Sequence, residues 1–155
     1  MSGQRFKSKA VAAWVAIVGG AFGLHRFYLH GLRDPWGWLY PLPSLLGLYG
    51  VRRMHLLGQD DRLAWLLIPL LGLTLASAML CALVYALGAD EKWNARYNPA
   101  GPPSRSGWMT TIGAIVALSL GAGVLMATIA FSAQRYFEYR AATQAESRVN
   151  RTGSD

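Results

Sequence analysis

Charged residues are scarce in this chain and cysteine is nearly absent. Lys, Arg, Asp and Glu together make up 15% of the 155 residues, against roughly 25% in an ordinary soluble domain. Four runs hold no Asp, Glu, His, Lys or Arg at all: 10–24, 35–51, 63–89 and 108–133. Proton- and ion-coupled transporters place ionisable side chains at membrane depth, because a charge moving through hydrocarbon needs a partner there. Their absence argues against that class. The single Cys81 excludes an intrachain disulfide, and its apolar surroundings suit a small packing residue. The chain has no Cys-x-x-Cys and no His-Glu-x-x-His, and its serines lack a His/Asp pair at convincing spacing. Metal and hydrolytic chemistry therefore have no candidate residues, and no enzymatic activity or cofactor is expected. His25 and His30 are too far apart for an i, i+4 ligand pair, and His55 lies in a different connection. Gly47-Leu48-Tyr49-Gly50 lacks the strand and helix setting of a phosphate loop.

What remains is apolar and basic. Hydrophobic residues make up 53%, and the formal net charge is +7. The basic residues flank the uncharged runs instead of forming one face, which points to a lipid bilayer with anionic headgroups and not to nucleic acid. The runs at 63–89 and 108–133 each reach roughly 40 Å as helices, more than a hydrocarbon core needs. Those at 10–24 and 35–51 are short. The second carries Pro41, Pro43, Gly47 and Gly50, so a kink is expected there. The fold class expected is all-α: an integral membrane protein with four transmembrane helices, the first two joined as a hairpin by the short turn at 30–34. The amino-terminal segment has the basic start of a secretory signal, but the chain soon re-enters the membrane, so the segment is expected to be retained. Three regions follow: a hairpin with its tail (1–58), a second pair of helices around an outer Pro/Gly loop at 90–107 (59–140), and a flexible tail (141–155). Asp60 and Asp61 suit a helix start, and the aromatics between Trp93 and Tyr97 suit an interface. With four crossings, one side carries ten basic residues and the other five. The positive-inside rule then places both termini in the cytoplasm.

The most distinctive stretch runs Gly19-Gly20-Ala21-Phe22-Gly23-Leu24-His25-Arg26-Phe27-Tyr28-Leu29. Gly19 and Gly23 have the spacing of a small-xxx-small packing face. Phe27 and Tyr28 suit interface depth, and Arg26 can extend outward to pair with Asp34. Together with His25 they form the candidate motif, read chiefly as an anchored helix end and secondly as a recognition patch for a lipid headgroup or protein. This stretch, in its setting over 7–51, resembles the TM2 domain family. The resemblance implies a two-helix membrane hairpin and, with His at position 25, a bacterial source and the bacterial cytoplasmic membrane. The chain departs from that pattern where Arg52-Arg53 stands in place of an aspartate near the end of the second helix.

Gly113, Ala117 and Gly121 recur every four residues in the last run and form a helix-packing face. Its partner is another helix of this chain, a second copy, or another membrane protein. The function expected is non-enzymatic, through helix packing or protein–protein interaction. A small oligomeric transporter or channel for a neutral solute is the alternative.

Overall fold

The computed structural model describes residues 6–152 and is all helical there. Its elements are α1 (Lys9–Gly19), a 3-10 turn (Gly20–Phe22), α2 (Leu24–His30), α3 (Pro35–Leu39), α4 (Pro41–Leu57), α5 (Arg62–Leu87), α6 (Asp90–Tyr97) and α7 (Trp108–Thr152). The antiparallel pair α5 and α7 forms the frame. Thr128 meets Gly72, Gly121 meets Met79, and Ala114 shares a cluster with Ala86. α1 lies against both helices through small residues. Ala12, Ala13 and Ala16 are fully buried, and Ala16 packs with Met79, Ala82 and Ala117. Without bulky side chains between them the backbones approach closely, which maximises dispersion contacts.

α1 does not cross the bundle. It stops after 11 residues, about 16 Å, and the chain turns through Gly20–Phe22 and Gly23. Gly23 has φ 75°, a left-handed conformation that favours glycine. α2 then returns beside α1. Leu29 packs with Ala12 and Trp93, and the Ser8 N–H donates to the Tyr28 hydroxyl at 3.0 Å. The end of α2 therefore lies with the start of α1. This corrects two expectations. The run at 10–24 is not a single span, and Gly19 and Gly23 share no helix face because the helix ends between them.

Where a kink was expected, the helix is interrupted at Tyr40. This residue keeps helical dihedrals (φ −59°, ψ −41°), so α3 and α4 form one interrupted rod. The cause is Pro41, which has no N–H to give the Gly37 carbonyl. α4 runs to Leu57, past the expected helix end at Val51. The connection to α5 shrinks to the four residues 58–61. Asp61 caps α5 by accepting from the Leu63 N–H at 3.3 Å. Half of the expected loop at 90–107 is helix α6, whose first turn carries Asp90 and Glu91, favourable at a helix start. The tail expected to fray from Ala141 continues α7 as helix to Thr152; 153–155, like 1–5, lie outside the described residues.

Four separate spanning helices are not found. Among the described residues only α5 and α7 are singly long and apolar enough to cross a membrane. Both turn much of their apolar surface outward: Leu66, Leu87 and Met126 are each at least 70% exposed.

Candidate functional site

The motif stretch becomes the half-length hairpin α1–α2, and its residues are held by internal contacts. A Cβ on Gly19 would collide with the Leu24 side chain, and one on Gly20 would lie 2.5 Å from the Ala78 Cβ. One on Gly23 would lie 2.5 Å from the carbonyl oxygen that Pro41 leaves without a helical donor, that of Gly37. Phe27 covers Gly37 and meets Trp38 edge to face at 5.3 Å. Arg26 Nε donates to Asp34 at 2.8 Å, and the Asp34 carboxylate also caps α3 through the Trp36 N–H at 3.2 Å. The hydrogen bond from Arg26 holds the Asp34 carboxyl below the usual carboxylate range. Gly20, singled out by no spacing rule, makes the close approach to α5. Gly20→Val is expected to cost about 1–3 kcal/mol by overpacking. Gly20→Ala should lose less, and adding Ala78→Gly to it should recover most of that smaller loss, as measured by thermal unfolding in detergent.

Behind the hairpin lies a buried polar group that sequence reasoning did not assemble. His25 is 1% exposed, and its Nδ1 has no hydrogen-bond partner. Tyr40 meets its ring edge-on at 5.2 Å, and Tyr85 lies at 6.0 Å. The Tyr40 hydroxyl is 3.2 Å from Ser77 Oγ and 4.0 Å from Cys81 Sγ. Ser44, on α4, donates to the Ala21 carbonyl at 2.5 Å. Beside this group a cleft of about 390 Å³ opens between α3–α4 and α5, lined by Trp36, Tyr40, Leu73, Thr74 and Ser77 among others. The Thr74 and Ser77 hydroxyls bond carbonyls of their own helix at 2.6 and 2.8 Å. Among the described residues no carboxylate hydrogen-bonds to His25.

A second polar cluster ties the chain start to the α5–α7 connection. Lys9 is 1% exposed, and its Nζ donates to Asp90 at 2.8 Å, to Ser106 Oγ at 2.7 Å and to the Gly88 carbonyl. The Lys9 N–H donates to Ser104 Oγ at 3.1 Å. Asn98 accepts from the Lys7 N–H and donates to the Lys7 carbonyl, to which Trp93 Nε1 also donates at 3.0 Å. The Lys9 ammonium, followed by the Ser106 hydroxyl and N–H, holds the Asp90 carboxyl at about 2. These contacts join residues 79–97 positions apart, and no local pattern announces them.

Of the packing face on α7, Gly113 faces Trp14, Ala117 is fully buried between α1 and α5, and Gly121 meets Met79. All three are covered by this chain's own helices. Among the described residues, no three His, Cys, Asp or Glu side chains are grouped to hold a metal ion. No protein-family model matches the chain, and no curated protein or solved structure is similar to it.

Proposed function

We propose that the chain is a multi-pass membrane protein that acts without an enzymatic site, through helix contacts with its surroundings. The observation that carries this reading is the outward apolar surface of α5 and α7. In their most apolar windows only 22% and 11% of residues are buried, whereas the core helix of a soluble domain hides its apolar face. The interrupted α3–α4 rod spans 23 residues (35–57), roughly 35 Å, enough to supply a third crossing. The hairpin α1–α2 is then re-entrant. It is tolerable at membrane depth because its turn is covered by α3–α4 and α5.

This topology has three crossings and puts the termini on opposite sides. Among the described residues it places Lys7, Lys9, Arg26, Arg33, Lys92, Arg96 and Arg105 towards one end. Arg52, Arg53, Arg62, Arg135, Arg140, Arg148 and Arg151 fall towards the other. The counts are equal, so the charge bias that favoured two cytoplasmic termini disappears with the fourth crossing. A TM2-like amino-terminal part in a bacterial cytoplasmic membrane remains a proposal, carried by His25-Arg26-Phe27-Tyr28 and the preceding glycines alone, with the first helix of that family's two-helix hairpin replaced by the re-entrant α1–α2. The cleft beside Tyr40 and Ser77 favours conduction of a neutral solute as a second reading, checked by solute flux in liposomes. The main reading is tested by washing cell membranes with alkaline carbonate. The protein should stay in the membrane pellet, and release into the supernatant would overturn the proposal.

A further inference from the structure

At the end of the bundle where α5 begins, α5 and α7 part to form a groove of about 530 Å³. Its floor is apolar and comes from α5: Leu66, Pro69, Leu70 and Leu73. Its rim carries two guanidiniums. Arg62 lies over the Tyr139 ring at 5.1 Å, and Arg135 lies over Trp65 at 5.3 Å and Phe131 at 5.4 Å. Tyr139 and Trp65 each belong to the helix opposite their arginine, while Phe131 shares α7 with Arg135, so the two arginines bridge the rim from opposite walls. Arg135 has a side chain only 12% exposed. One of its nitrogens, Nη1, donates to Glu138 at 2.7 Å, while its buried Nε–H has no partner. Among the described residues Arg62 has no carboxylate partner. Glu138 thus pairs with Arg135 alone, and a buried donor is left over at a point where leaving it unsatisfied is costly.

The arrangement is polar, cationic and planar at the rim, with hydrocarbon below. A soluble anion would leave the floor in contact with water, and a plain acyl chain would leave the guanidiniums unneutralised. Arginine suits phosphate because its fork of donors matches the oxygens. We propose that this groove is a binding site for one anionic phospholipid. The headgroup phosphate sits between Arg62 and Arg135, and an acyl chain lies along Leu66, Leu70 and Leu73. The aromatic rings of Trp65 and Tyr139 hold the guanidiniums in place by stacking. The proposal rests on the membrane reading above and goes beyond it in assigning one lipid to one site.

The test uses the full chain in phosphatidylcholine nanodiscs that contain a minor fraction of phosphatidylglycerol. Lipid retained after detergent extraction is measured by native mass spectrometry. Retained phosphatidylglycerol should exceed its bulk share by about thirtyfold, the factor carried by two arginines beside an anionic lipid. In Arg62→Gln/Arg135→Gln the retained lipid should fall to the bulk ratio. Arg52→Gln/Arg148→Gln removes the same charge from the same end outside the groove and should keep the enrichment. Inorganic phosphate should not displace the lipid. Because Arg135 is buried, Arg62→Gln alone provides a variant that leaves the packing intact, and it should lose about fivefold. Embedding without enrichment, equal loss in the control pair, or displacement by phosphate would overturn the site. Failure of the chain to enter the nanodiscs would instead sink the membrane reading.

Discussion

A cysteine placed at Arg33 will be modified from the same side of the membrane as one placed at Phe6. In a Cys81→Ala background a membrane-impermeant maleimide should also reach Gly101→Cys from that side, and Gln59→Cys and Ala145→Cys only from the other. The effect is all or none. With four crossings, position 33 would lie opposite Phe6, and Ala145 would share its side. The re-entrant hairpin reverses both relations. The reason lies in three contacts: the Ser8 N–H on the Tyr28 hydroxyl, the Lys7 ammonium on the Leu29 carbonyl, and the edge-on ring pair of His30 and Tyr97 at 6.4 Å. All three hold the end of α2 beside the start of α1 and beside α6. A label pattern that puts Arg33 and Phe6 on opposite sides would remove the re-entrant hairpin.

Removing Asp90 will harm the fold more than removing Lys9, although the two are partners. Asp90 keeps a third of its side chain in solvent, and Lys9 keeps 2%. Asp90→Ala leaves a buried ammonium without a counter-charge, which costs about 3–5 kcal/mol. Lys9→Met leaves a carboxylate that water can reach, and the methionine fills the space of the lysine stem, so the loss should be smaller, about 2 kcal/mol. The pair Lys9→Met/Asp90→Ala should be more stable than Asp90→Ala alone. Thermal unfolding in detergent checks the order, and a Lys9→Met chain less stable than Asp90→Ala would refute the argument. The same pair sets an acid limit. Asp90 titrates at about 2 in the fold, against an ordinary 3.8. Its stabilisation is therefore complete above pH 4 and drains away as pH falls towards 2. Lys9→Met should flatten that part of the pH profile.

The helices α5 and α7 were legible because their uncharged runs leave no other reading at that length. So were the helix break before Pro41, the Asp61 cap and the Arg26–Asp34 pair, since each depends on neighbours close in sequence. The break in α1 was not. Gly19 to Gly23 reads equally well as a packing face or a turn, and the choice falls to contacts that Gly20 and Gly23 make with Ala78 and Gly37. α6 is eight residues long, too short for periodicity to show and too short to persist without the contacts that its Trp93 and the following Asn98 make with Lys7. Lys9 looked like one more flanking cation; its burial depends on residues 88, 90 and 106 arriving from the far side of α5. The His25 group was missed for the same reason, because Tyr40 lies between α3 and α4 while Ser77 and Cys81 come from α5.

The length of α7 has a consequence for reach. From Arg135, at the rim of the groove, the helix continues to Thr152 with exposed side chains along most of its surface. As a rod this piece stands roughly 26 Å tall. A flexible coil of the same length would have a similar mean span, roughly 23 Å, but would sweep a whole hemisphere. The rod confines its tip to a narrow shell at one height. On the proposed membrane topology, residues near Thr152 would therefore stand at one height from the bilayer, where those of a coil would range over all heights.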